Sequence, residues 1–489
     1  MDRETTKKHD CLIDLTGLRT GVPVSSRLIL SLVGTVLLFA LCALLPLDGY
    51  GKSTAAALGF FAASIFLIIF SPINIAVDSI LIAVTGIALG FWEWEQVGQS
   101  FGSSSFLTIM GMIIVSMGSE FTPLGRRVAY TILRRFGNHP AKVVVAIAVV
   151  SACLSSFVSN VAVIIMMSGI CAEILNAMGE KPGDSRIGKA IMMIIPTAAI
   201  IGGVVLINGS PTGNTMAIQF LSASTDGRFT VTYSQWALCG VPCFLVTIVP
   251  ICLIYLRCFK ISPKNVTMPD MSYYDRPLNE LGKLGGSEIR WIVTVLAMVA
   301  CMLAGMPTGM ASLLFAAVTM FPGVGTVPAD KAIKKLPVQA MIAAGLMPLL
   351  SQLFSSTGLG ELVSDVISPL VVNAGPLGLS IISALIMGVL VNMFVNAGLG
   401  VSALVIGMIS PVCMELGYNP VPVMMPTLFI ASFFFVIGSN NIMLLNMGYG
   451  YWTMKDPILP GILSVLLCAV LFPVVCCLIC PAFGIPLYI

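Results

Sequence analysis

Long apolar stretches separated by short polar turns run from residue 28 to residue 480, and they constrain this chain more than any other feature. A helix needs about 20 mostly apolar residues to cross a hydrocarbon core. Stretches of that kind fall at 28–46, 55–71, 75–92, 105–124, 190–207, 236–257, 289–305, 309–323, 337–355, 422–437 and 458–480. Only 10% of the 489 residues are Asp, Glu, Lys or Arg, against roughly 25% in a soluble domain. The expected fold is therefore an all-α polytopic membrane protein with about eleven transmembrane helices. A soluble enzyme or a nucleic-acid binder is excluded. A net charge of +3 implies no anionic polymer as partner.

The few charges orient the chain. With the N-terminus in the cytoplasm, every Lys and Arg except Lys52 and Arg228 falls on the inner side, as the positive-inside rule requires. The C-terminus then lies outside. Residues 1–27 are polar and lack the pattern of a cleaved signal peptide, so they read as a cytoplasmic tail before a retained first helix, 28–53. The expected location is the cell (plasma or inner) membrane. Segment 125–137 places its arginines on one side and Val128, Ala129, Ile132 and Leu133 on another. That is the pattern of an interfacial helix lying on membrane lipid.

Two further apolar stretches, 143–175 and 378–414, are interrupted by polar and small residues. Irregular backbone survives at membrane depth only inside protein or beside a water-filled cavity, so each reads as a re-entrant hairpin. The two belong to a repeat. Gly125 pairs with Gly360 at an offset of 235, Asn160 with Asn396 at 236 and Gly209 with Gly438 at 229. The expected division is a first repeat over 54–258, a cytoplasmic linker over 259–288 and a second repeat over 289–489. Five crossings in each copy would invert one copy relative to the other. Inverted repeats with broken helices mark secondary transporters.

The hairpin tips carry the candidate chemistry. Ser155-Ser156-Phe157-Val158-Ser159-Asn160 and Val391-Asn392-Met393-Phe394-Val395-Asn396-Ala397-Gly398 sit in the middle of the two stretches. A helix that starts after such a tip presents free N–H groups and a partial positive charge, suited to a carboxylate. Carbonyls of the broken segment, with Ser and Asn oxygens, suit a hard cation such as Na⁺. A second string in each repeat, Asn208-Gly209-Ser210-Pro211-Thr212-Gly213-Asn214 and Gly438-Ser439-Asn440-Asn441, reads as an unwound turn that exposes carbonyls. On their own, such residues also serve simply to bond neighbouring helices.

SSFVSNVAVIIMM, GGVVLINGSPTGNTMAI and SMGSEFTPLGRRVAYTILRRFG resemble the signatures of the divalent-anion/sodium symporter family of di- and tricarboxylate transporters. The resemblance extends from about residue 55 to 480 in motif order. It implies a homodimer whose transport part moves like an elevator against a scaffold. It implies substrate contacts at Ser159, Asn160 and Val161, at Val395, Asn396 and Ala397, and at Ser210, Pro211, Thr212, Ser439 and Asn440. It implies Na⁺ ligands at Ser155, Ser159, Asn160 and Gly209 in the first copy, and at Val391, Asn396 and Gly438 in the second. The chain departs from the pattern where Val161, Val395, Ala397 and Val391 replace hydroxyl residues. The first cation site is therefore the better formed.

The expected function is secondary-active transport of a small organic di-anion of the C4-dicarboxylate kind. Coupling is to Na⁺ or to a counter-anion, with no cofactor and no other metal. The alternatives within transport are an inorganic-anion carrier or a cation/proton antiporter. A membrane-embedded enzyme or a receptor is the alternative from another class. The only histidines, His9 and His139, lie outside the spans, which removes a histidine relay. Glu120, ahead of Pro123, is the intramembrane acid to watch. Cys476 and Cys480 share a helix face, but small apolar packing explains them better than a metal.

Overall fold

A computed structural model describes residues 24–47, 49–136, 139–261, 271–394, 397–436 and 441–489. Twenty-three α-helices and no strand occur among the described residues. The first series is α1 (Val24–Ala43), α2 (Lys52–Phe70), α3 (Ile75–Ala88), α4 (Trp94–Phe101), α5 (Ser104–Met117) and α6 (Leu124–Phe136). Then come α7 (Pro140–Ser155), α8 (Asn160–Ala177), α9 (Arg186–Gly203), α10 (Pro211–Ser224) and α11 (Tyr233–Cys258). Within the polar segment lies α12 (Asp275–Leu281).

A second series of eleven helices follows. It holds α13 (Gly286–Leu303), α14 (Thr308–Met320), α15 (Ala329–Lys335), α16 (Val338–Leu346), α17 (Pro348–Ser356) and α18 (Leu359–Val371). It closes with α19 (Gly375–Met393), α20 (Gly398–Glu415), α21 (Pro420–Ile430), α22 (Asn441–Met447) and α23 (Ile458–Ala482).

Sequence signals mark many of the helix starts. Thr232 accepts from the Gln235 N–H at 3.2 Å while Gln235 accepts from the Thr232 N–H at 2.9 Å, a reciprocal cap that opens α11. Asn74 and Ser185 accept from the first turns of α3 and α9. Pro140, Pro211 and Pro420 occupy the first turns of α7, α10 and α21, where a missing N–H costs nothing.

Eleven helical stretches are long and apolar enough to cross a membrane, and they are not all the ones the hydropathy suggests. The stretches at 75–92, 309–323 and 422–437 form helices of only 14, 13 and 11 residues. At ~1.5 Å per residue the longest of them covers about 21 Å. Each is stopped by local chemistry: Gly90 turns at φ +78°, Phe321 is extended ahead of Pro322, and α21 ends before the unwound run 433–436. Their place is taken by α8 and α20, each 18 residues long, and by the stretch Leu359–Met393 that holds α18 and α19.

Tight interfaces use small residues, as expected where lipid removes the hydrophobic drive between helices. A Cβ on Gly111 would lie 2.4 Å from the Ser312 backbone, and one on Gly59 would lie 2.8 Å from the Phe39 carbonyl. Helix α9 is the centre of the core, buried from Ala190 to Gly203. The cysteines also pack: Cys239 and Cys243 of α11 face Cys480 and Cys476 of α23, at 3.4 and 3.9 Å.

Candidate functional site: two broken helical regions

Helix α7 ends at Ser155, a four-residue turn spans 156–159, and α8 begins at Asn160, with Ser159 half-buried at its cap position. The Ser159 side chain makes no capping bond, so the first N–H groups of α8 keep their positive end. Ser155 is fully buried and Asn160 is 7% exposed. With its NH₂ turned towards the carbonyls, Asn160 donates to Gly209 O at 3.0 Å and Ala199 O at 3.3 Å, and it meets Ser155 Oγ at 2.5 Å. Ser156 donates to Ala152 O at 3.0 Å and to Gly202 O at 3.1 Å.

Those carbonyls belong to a helix that comes apart. Helix α9 stops at Gly203, a single 3₁₀ turn covers Ile207–Gly209, and α10 resumes at Pro211. Asn214 of α10 reaches back, its Nδ2 donating to Gly203 O at 2.8 Å and Leu206 O at 3.2 Å. The Trp236 indole donates to Val204 O at 2.8 Å, and Tyr233 donates to Asn208 Oδ1 at 3.0 Å. The glycines are steric necessities. A Cβ on Gly202 would lie 2.1 Å from the Ala152 carbonyl oxygen, and one on Gly209 would lie 2.3 Å from that of Ser155. Ser155, Ser159, Asn160 and Gly209 are thus brought to one place.

The remaining first-copy residues sit nearby. Pro211 is buried, Ser210 and Thr212 are half-buried, and Val161 is exposed on the first turn of α8. A Cβ on Gly213 would lie 3.0 Å from Ser210 Oγ and 2.6 Å from Ser432 Oγ. Ser432 follows α21, so the two broken regions meet across Gly213.

In the second copy α19 runs to Met393 and α20 starts at Gly398. Val395, Asn396, Gly438, Ser439 and Asn440, all expected site residues, lie outside the described residues. Val391 and Ala397 are buried and apolar. The polar contacts come instead from Asn392, which sequence reasoning passed over. Its Nδ2 donates to Gly388 O and Phe433 O, both at 2.8 Å, and its Oδ1 accepts from Val436 N at 2.9 Å. Asn214 was missed in the same way. The repeat offers the signal for Asn392, because it stands four residues before Asn396 as Ser156 stands before Asn160.

Glu120 does not behave as an intramembrane acid. It pairs with Lys335 at 2.8 Å, 40% exposed, because α5 ends at Met117 and leaves it in the turn that follows. No Lys or Arg is buried among the described residues, and the buried acids there are Asp78 and Glu288. Glu288 is held by Arg127 at 2.9 Å, and Arg127 also donates to the carbonyls of Leu281, Gly282 and Lys283.

An all-α, multi-pass membrane protein with two interrupted helical regions meeting at its centre belongs among the transporters. A family model described as citrate transporter matches residues 65–402, well over half of the chain, and the chain belongs to that family. It is similar to the sodium-dependent dicarboxylate transporter SdcS of Staphylococcus saprophyticus, 27% identical over 202 residues, 40% of this chain and 38% of that protein. The SdcS of Staphylococcus aureus is 25% identical over the same shares. The match thus spans well under half the length of these curated relatives. Two solved structures share the fold. The YdaH transporter of Alcanivorax borkumensis has a TM-score of 0.55 at 13% identity, over 90% of this chain and all of that one. The antimetabolite efflux pump MtrF of Neisseria gonorrhoeae has a TM-score of 0.55 at 12% identity, over 98% of this chain and 99% of that one.

Proposed function

We propose that the protein is a secondary-active transporter of small organic di-anions of the C4-dicarboxylate kind, driven by Na⁺ symport or by exchange for a counter-anion. The observation that carries this is the first broken region, where an uncapped helix start lies beside the Ser155 hydroxyl and the Gly209 and Ala199 carbonyls gathered around the Asn160 amide. The start of α8 suits a carboxylate, and the oxygens of Ser155 and Gly209, joined by that of Asn160 when its amide turns over, suit a hard cation. With no Lys or Arg buried among the described residues, helix ends and a bound cation are what remains to neutralise the anion. The dicarboxylate named for SdcS agrees with this class, and the citrate named for the family is a larger carboxylate of related chemistry.

The same reading makes the two helix series inverted copies with a cytoplasmic N-terminus. The protein works as a homodimer in which the hairpins and their neighbours move as one body against a scaffold. Proteoliposomes loaded with succinate or buffer test it, with external labelled succinate or sulfate and with or without an inward Na⁺ gradient. Succinate accumulation on a Na⁺ gradient, or succinate/succinate exchange, is expected. Sulfate uptake alone would move the protein to the inorganic anions, and no uptake of either di-anion in any arm would reject the reading.

A further inference from the structure

Around the first unwound segment, two buried amide atoms lack a hydrogen-bond partner among the described residues, Asn208 Nδ2 and Asn214 Oδ1. The Asn214 amide nitrogen is fully committed to carbonyls of the unwound run. Its Oδ1 is buried and has no hydrogen-bond partner among the described residues, on a side chain that is 0% exposed. A buried amide oxygen without a donor is unfavourable, and native structures rarely leave one so. The position is specific. The amide lies 2.8 Å from Gly203 O, and Gly203 is the residue on which both Asn160 and Gly209 close, since a Cβ there would meet the Asn160 side chain at 2.4 Å. Asn214 therefore belongs to the same cluster as Ser155, Asn160 and Gly209, approaching from the α10 side.

We propose that Asn214 is a further ligand of the cation at this region, its Oδ1 adding an amide oxygen from α10 to those of α7, α8 and the unwound segment. The proposal rests on the reading that a Na⁺-type cation binds there. Hard cations take carbonyl and amide oxygens readily. A ligand on α10 would also tie cation binding to the position of the helix that carries Ser210 and touches Ser432 of the second copy.

The test needs no substrate. Any ligand that binds only the folded protein stabilises it by RT ln(1 + [L]/Kd), and its melting temperature rises accordingly. The full-length protein in lipid nanodiscs is melted over a NaCl series balanced with choline chloride at constant ionic strength. The wild type is expected to gain stability with Na⁺ and to saturate. Asn214→Ala is expected to need roughly 10-fold more Na⁺ or beyond. Asn214→Asp keeps an oxygen, adds a charge and gives up the amide donor, so it is expected to bind Na⁺ at least as tightly as wild type. It also decides the matter if the alanine variant loses its monodisperse elution. An unchanged Na⁺ midpoint in Asn214→Ala overturns the proposal. So does an Asp variant as weak as Ala, which would make the residue a brace for the carbonyls. A wild type indifferent to Na⁺ overturns the underlying cation reading and this proposal with it.

Discussion

The two hairpin tips occupy corresponding places, and they are satisfied in opposite ways. At the first, three small polar side chains, Ser155, Ser156 and Asn160, lean on a helix that has opened, and the buried oxygen of Asn214 finds no donor among the described residues. At the second, one asparagine closes its own surroundings, with Asn392 giving two hydrogen bonds to carbonyls and accepting one from a backbone N–H. The flanking positions there are Val391 and Ala397, and the following run packs aromatic rings, Phe433 against Phe435 at 5.2 Å and Phe434 against Gly398. A polar group that is fully paired inside the protein holds structure. One that is buried and unpaired calls for a ligand. The first tip is built to receive something, while the described part of the second is built to stay together.

Five substitutions break or sharpen that contrast. The largest effect is expected from Asn160→Ala, which removes the amide between Ser155 and the Gly209 carbonyl. Uptake should fall by about 100-fold, and unchanged uptake would dissolve the site. Next is Gly209→Ala, whose Cβ would meet the Ser155 carbonyl at 2.3 Å. Backbone cannot step aside easily, so a loss of roughly 1–3 kcal/mol is expected in a thermal melt. The same change at Gly398 meets the Phe434 ring at 2.4 Å. A ring can rotate away, so the expected drop in melting temperature is smaller. If Gly398→Ala costs as much as Gly209→Ala, the second tip is as rigidly specified as the first.

Asn392→Ala strands the Phe433 carbonyl and the Val436 N–H, while the Gly388 carbonyl keeps its helical bond. It should lower the melting temperature by the equivalent of about 1–3 kcal/mol while leaving the Na⁺-dependent stabilisation in place. Loss of that Na⁺ response would place a cation at the second tip after all. The smallest effect is expected from Val391→Ser, which restores a hydroxyl opposite the place of Ser155. Since Asn392 already satisfies the local carbonyls, the Na⁺ dependence of uptake should keep its steepness. A steeper dependence in this variant would show a second cation site waiting only for an oxygen.

Much of this molecule was legible before its coordinates. The interrupted stretches 143–175 and 378–414 read as broken because Ser, Asn and Gly fall where apolar residues should continue, and α7–α8 and α19–α20 break within them. Three of the expected spans proved shorter, since hydropathy counts apolar residues and does not see where a helix unwinds. The Val24–Ala43 helix is more apolar in sequence than α9, yet α9 is buried along most of its length and α1 is not. Glu120 looked intramembrane because its flanks are apolar; the end of α5 at Met117 lets it reach Lys335.

What the sequence determined by itself was the solvent and the breaks. Scarcity of charge dictates a bilayer, and backbone groups in a bilayer must be paired, so polar and Gly-rich strings at depth can only be interruptions. What the tertiary structure alone decided was pairing across distance. Nothing local to Asn214 says that its nitrogen will meet the Gly203 and Leu206 carbonyls, and nothing local to Asn392 says that it will meet Phe433 and Val436. Whether a buried amide ends satisfied or searching depends on which backbone another helix has opened beside it. That follows only once the helices have packed.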